Sequence, residues 1–230
     1  MVDPGYADRG AGRLPVVSAA TAYPSLRGSD TAVVVVDMVN WQVTPDKGML
    51  GSMAANGVDI GYMEDRVRSL VLPNLARLIK GARAAGGRIV YLRVGAYQHD
   101  YSDGTPHLQA SLRAATAHDG AWACEVVEEL RPEPGDISLI KTGSGGFTTS
   151  NLDNHLRNMG IQHVLYTGVA TSGCVMLTLA GGWDLGYHGY LVADTTATFS
   201  PRLQEITEEL VSGYLAKVVT TDEVLEQIEA

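Results

Sequence analysis

Thr31-Ala-Val-Val-Val-Val-Asp37 is an unbroken, largely β-branched run with no polar alternation. A strand of that kind is buried on both faces, as in a parallel sheet covered by helices. Asp37 follows it, which sets a carboxylate at the strand's carboxyl end. In parallel α/β sheets that is the end where ligands bind.

The chain on either side repeats the pattern. Residues 43–61 read as a loop, with Pro45, Gly48, Gly51 and Gly57. A helix is expected from about 63 to 85, because Val67, Leu70, Val71, Leu75, Leu78, Ile79 and Ala82 fall at helical spacing. Pro73 should kink it, and Gly86-Gly87 should stop it. Residues 88–93 read as a second strand, followed by a polar loop over 94–105, a weak helical stretch over 108–116 and a short turn or helix over 122–129. A third strand over 136–140 ends at Lys141, and Ser150 is expected to cap a helix reaching about Asn158. A fourth strand spans 162–166 and a fifth 189–193, ending at Asp194, with a short last strand at 217–219. Helices are expected over 175–185, 201–215 and 221–228. Strands thus alternate with helices, which predicts an α/β fold: a doubly wound, six-stranded, mostly parallel sheet with helices on both faces, a Rossmann-like three-layer arrangement. Residues 1–29 are rich in Gly, Pro, Ala and Ser without a clear period and read as an irregular arm on the body or on a partner subunit. Residues 30–230 read as a single domain.

Composition narrows the function. A formal net charge of −9 over 230 residues argues against nucleic-acid or anionic-membrane partners and suits a small-molecule substrate. There are two cysteines, Cys124 and Cys174, in different contexts, so no disulfide framework is implied and a cytoplasmic location is expected. No basic-then-apolar leader begins the sequence, and no apolar run approaches membrane-spanning length.

The chemistry concentrates at Thr167-Gly-Val-Ala-Thr-Ser-Gly-Cys-Val175, read as a tight turn between a strand and a helix. A cysteine at a helix start meets the positive end of the dipole and unpaired N–H groups, both of which favour thiolate. None of the six histidines falls at a strand's carboxyl end, which argues against a Cys-His pair. Asp37 and Lys141 are better placed: a carboxylate can take the thiol proton, and a lysine between the two anions can hold both. Backbone N–H groups of the turn can serve as an oxyanion hole.

These residues reach a family resemblance. Val33-Val-Val-Val-Asp37-Met-Val-Asn40, Pro134-Gly-Asp-Ile-Ser-Leu-Ile-Lys141 with Gly145-Gly-Phe147 and Asn151-Leu-Asp-Asn-His-Leu156, and above all Thr167–Val175 resemble the isochorismatase-like cysteine hydrolases. The similarity covers nearly all of 30–220, in order, and is nearest to the ureidoacrylate and N-carbamoylsarcosine amidohydrolases. It implies a catalytic triad of Asp37, Lys141 and Cys174, a cis peptide at Val169–Ala170, and the Ala170 and Cys174 amides as oxyanion donors. It also implies a homodimer or homotetramer. Two departures stand out. Many relatives carry Gln where this chain has Val39, so the substrate is expected to differ. The zinc ligands of the nicotinamidase branch find no clear match around His99, Asp100, Asp103 and His107, so neither a metal nor another cofactor is expected.

Trp41, Tyr97, Tyr101, Trp122 and Phe147 are candidates for the pocket wall, with Trp41 and Phe147 favoured by their closeness to triad positions. Asn40 is a polar contact or a loop brace, and Cys124 reads as structural. Gly143-Ser-Gly-Gly146 lies between a strand and a helix but does not fit a nucleotide-binding fingerprint. The expected reaction is hydrolysis of an amide, carbamoyl or ureido C–N bond through a thioester. The alternatives are vinyl-ether hydrolysis of the isochorismatase type, which Cys174 argues against, and a non-catalytic binding protein that keeps the fold.

Overall fold

The computed structural model describes residues 23–229. The expectations for the arm over 1–22 lie outside them. Within 23–29, Leu26 is buried and Arg27 bridges to Glu229.

Thr31–Val36 (β1) is buried throughout, with no residue more than 1% exposed. Its side chains alternate between two cores. Val33 and Val35 join Met63, Val67, Leu75, Leu78 and Val224 on one face. Ala32, Val34 and Val36 join Leu152, Leu156, Leu179 and Val211 on the other. With apolar helices on both sides, every position of the strand must be apolar, which is why its sequence lacks alternation.

The remaining strands are Arg88–Val94 (β2), Ile137–Lys141 (β3), His163–Val169 (β4), His188–Ala197 (β5) and Lys217–Val219 (β6). Their order is β3-β2-β1-β4-β5-β6, and every pairing is parallel. The chain order reverses at β1, between β2 and β4, and the crevice at such a switch point is where doubly wound sheets bind ligands. The helices are Asn40–Val43 (α1), Gly48–Ala55 (α2), Gly61–Arg66 (α3), Leu72–Ala84 (α4), Pro106–Ala115 (α5), Gly146–Thr149 (α6), Leu152–Asn158 (α7), Met176–Asp184 (α8), Pro201–Leu210 (α9) and Thr221–Gln227 (α10). None of them is long and apolar enough to cross a membrane, among the described residues.

Several elements differ from expectation. The stretch read as a loop over 43–61 contains α2, which buries Leu50 and starts at Gly48 with φ +54°. The long helix over 63–85 is divided: α3 passes through a π-helical turn, Val67–Val71, into α4. Pro73 lies in the first turn of α4, where a missing N–H costs least. Asn151, not Ser150, holds the N-cap position of α7, although the Ser150 hydroxyl accepts the Leu152 N–H at 3.3 Å.

β5 does not end at Asp194. It continues to Ala197 through an irregularity in its register with β4. Arg66 spans that irregularity, donating to the Ala193 and Thr196 carbonyls at 2.9 and 2.8 Å. Asp194 accepts from the N–H and hydroxyl of Thr221, tying β5 to α10. The helix expected over 201–215 ends as α9 and a π-helical turn, Val211–Leu215.

Candidate active site

Asp37 leaves β1 with φ +54°, a left-handed conformation that Asp tolerates better than most side chains. Its Oδ1 accepts the Val94 N–H at 2.8 Å, and its Oδ2 lies 2.9 Å from Lys141 Nζ. Lys141, the last residue of β3, also donates to the Gly143 carbonyl at 2.8 Å. Both side chains are sealed from solvent, at 1% and 0% exposure. Beyond the charge contact, Oδ2 makes no hydrogen bond of ordinary geometry within the Asp37–Lys141 pair. The Cys174 sulfur bears electrostatically on both Asp37 and Lys141.

Cys174 is not in the first turn of α8. It sits one step earlier, in a π-helical turn, Thr171–Val175, broken by non-helical dihedrals at Gly173 (φ −124°, ψ −108°). Side chains on both flanks fix that turn. Thr171 Oγ1 donates to Gln204 Oε1 at 2.8 Å, and the Ser172 and Thr198 hydroxyls pair at 2.7 Å. Thr178 donates to the Cys174 carbonyl at 2.7 Å. The Ala170 carbonyl accepts the N–H groups of Gly173 and Val175, on either side of Cys174. The Val169–Ala170 peptide is cis.

Electrostatics at the site run against the simple dipole argument. Burial pushes the Cys174 thiol up to about 12; the Asp37 charge adds to that, and Lys141 only partly opposes it. Burial likewise raises the Asp37 carboxyl, against Lys141, Cys174 and the Val94 N–H, which all pull it down. For Lys141, burial alone would lower its pKa, but Asp37 and Cys174 outweigh it and the ammonium is held. Burial and the Asp37 charge thus hold the sulfur toward the thiol, against the pull of the turn's N–H groups: losing a proton to water would leave a net negative charge beside the closed ion pair. Moving the same proton from sulfur to Asp37 keeps the site neutral overall. The arrangement favours internal transfer over ionisation.

This has a testable sign. Asp37→Asn removes a charge that raises the thiol and leaves one that lowers it. The inflection of iodoacetamide labelling at Cys174, read by mass spectrometry against pH, should move below that of the parent protein. An inflection that stays put or rises would contradict the charge assignment.

Cys174 opens onto a cavity of about 780 Å³ where the three hydrophobic cores meet. Trp41 and Trp122 line it, with Met49 and Met53 from α2, Leu108 and Ala114 from α5, and Phe199 beyond β5. Trp41 is nearly buried, its indole N–H donating to the Val94 carbonyl at 2.9 Å.

Asn40, Tyr97 and Phe147 are not in that wall, which corrects the expectation for all three. The Asn40 amide donates to the Trp122 carbonyl at 2.9 Å and braces a loop. Tyr97 is 56% exposed. Phe147 stacks on Tyr187, centroids 5.4 Å apart, and packs against Gly181 and Gly182 of α8. Tyr101 is buried in the third core under the Arg113 guanidinium. Phe199, Met49 and Met53 were not foreseen. Ending β5 at Asp194 hid the first, and reading α2 as a loop hid the other two.

Cys124 is buried with its sulfur 3.6 Å from the Val94 carbonyl and its thiol pushed up to about 12 by burial, which suits packing. In the loop after β2, Asp103 accepts the Tyr97 and Gln98 N–H groups and Asp100 accepts that of Ser102. The His99 ring lies 4.1 Å from that of His118. Among the described residues, no group of three or more His, Cys, Asp or Glu is arranged to hold a metal ion.

The isochorismatase domain model matches residues 31–223. The ureidoacrylate amidohydrolase RutB of Variovorax paradoxus is 33% identical, over 93% of this chain and 90% of its own. RutB of Rhizobium rhizogenes is 31% identical, over 86% and 83%. Among solved structures, a cysteine hydrolase from Pseudomonas syringae pv. phaseolicola superposes with a TM-score of 0.72 at 24% identity, over 90% of this chain and 98% of that one, a likeness of fold. The N-carbamoylsarcosine amidase of Thermoplasma acidophilum gives 0.64 at 27% identity, over 84% and 97%. The chain belongs to the isochorismatase family. Within it, it stands on the side of the amidohydrolases that cut non-peptide C–N bonds.

Proposed function

We propose that the protein is a cysteine amidohydrolase that cleaves an amide, carbamoyl or ureido C–N bond of a small molecule through a thioester. One observation carries the reading: a solvent-sealed Asp37–Lys141 pair, 2.9 Å apart, beside a cysteine that opens onto a large cavity. A buried ion pair is a poor device for stability, so its presence beside a nucleophile asks for a chemical role.

Cys174 Sγ attacks the carbonyl carbon as its proton passes to Asp37 Oδ2. Lys141 stays charged throughout and compensates whichever neighbour is the anion. The tetrahedral oxyanion is held by the Ala170 and Cys174 amides. Collapse breaks the C–N bond, and the proton on Asp37 goes to the departing nitrogen. Water, deprotonated by Asp37, then opens the thioester and returns the proton to sulfur.

Two measurements test this together. Ammonia or amine release from a panel of carbamoyl compounds, ureides and primary amides should identify a substrate. Acid quenching during its turnover should then show a protein mass increased by the acyl group and mapped to Cys174. Turnover with no adduct at Cys174, even under rapid quench, would count against the thioester.

A further inference from the structure

We propose that the substrate is electrically neutral on the side that enters the cavity, with an apolar aromatic or branched body, and is not a carboxylate-bearing ureide. This deepens the amidohydrolase reading and rests on it.

The cavity's chemistry carries the inference. Trp41, Trp122 and Phe199 supply aromatic wall, and Met49 and Met53 supply a soft, adaptable one. The polar side chains in the wall besides Cys174 are Gln42, Ser52 and Ser111, all neutral. Among the described residues, none that lines the cavity is charged. A carboxylate moved from water into such a wall loses its hydration and finds no counter-charge.

Among the described residues, Lys141 and Lys47 flank the lining, and each has a partner. Lys141 is committed to Asp37 and to the Gly143 carbonyl. Lys47 is exposed and holds its ammonium over the Trp122 ring, 4.9 Å from the centroid. Val39 is fully buried in the same core as Trp41 and contributes no polar atom. The net charge of −9 further disfavours an anionic ligand.

Size points the same way. About 780 Å³ is room for a drug-sized molecule rather than for a short unsaturated acid. The few neutral donors and acceptors suit an amide or hydroxyl within a mainly apolar ligand.

A matched pair isolates the charge: N-carbamoylphenethylamine and N-carbamoylphenylalanine differ only by a carboxylate. We expect kcat/KM for the first to exceed that for the second by at least about tenfold, as an unpaired charge demands. In Cys174→Ala protein, quenching of the wall tryptophans should give Kd values in the same order. Met53→Arg, which adds a counter-charge, should narrow or reverse the preference. Equal or better handling of the carboxylate compound in both readouts, or binding of neither, would overturn this inference and leave the Cys174 chemistry standing. Tighter binding of the neutral compound without turnover of either would support it and sink the amidohydrolase reading instead.

Discussion

Cys174→Ala protein will fold, bind substrate and fail to turn it over, with kcat reduced by about four to six orders of magnitude. The sulfur is the only protein atom in the scheme that forms a bond to carbon, so no other side chain in the site can take its place. Asp37 and the proposed oxyanion donors remain, but a carboxylate activating water without the sulfur gives only a small background. The fold should be spared, because the π-helical turn is held by Thr171, Ser172 and Thr178 rather than by the thiol. Melting within a few degrees of the parent, together with lost ammonia release, checks both halves. Retained turnover would end the nucleophilic reading.

Lys141→Met is expected to be the most destabilising single change at the site. It leaves the fully buried Asp37 carboxylate without its partner, and breaking a buried pair costs about 3–5 kcal/mol. For a chain of this size that is a fall in Tm of roughly 6–20 °C. The deficit should depend on pH with a definite sign. Burial already raises Asp37, and losing the ammonium raises it further, so the folded variant binds a proton that the unfolded chain does not. Stability is therefore lost as pH rises through the carboxyl's folded pKa and regained on acidification. Thermal unfolding at several pH values reads this directly. Adding Asp37→Asn should restore most of the loss, since two neutral groups can be buried together more cheaply than one bare charge. A Lys141→Met protein as stable as its parent at all pH values would mean that the pair is not a charged pair.

Much of this was legible in the chain because one physical rule wrote it. A strand buried on both faces has to be apolar at every position, and Val33–Val36 is; six strand-like segments with helices between them leave little choice of topology. The sites of Asp37, Lys141 and Cys174 followed from strand ends. What was hidden depended on contacts between distant segments. α2 begins with two glycines in four residues, a poor helix by propensity, and exists because Leu50 is buried. Phe199 follows a β5 that runs on past an irregularity bridged by Arg66, more than a hundred residues earlier. Phe147 shows the opposite error: nearness in sequence to Lys141 does not fix which way a ring turns. The acidity of Cys174 was misjudged for a related reason. A helix dipole is worth about 1 kcal/mol or less, whereas desolvation beside a carboxylate outweighs it, and burial cannot be read from a motif.

The strand order divides the site. β1, β2 and β3 are contiguous in the sheet and come first in the chain, so the stretch through Lys141 already contains the proposed base and its counter-ion. The proposed nucleophile, Cys174, follows β4, which docks on the opposite edge of β1. The pair and the thiol thus come from different halves of the chain, and they meet only where the second half of the sheet closes against the first. Under the proposed mechanism, activity therefore requires the β1–β4 junction, where the two halves of the sheet meet.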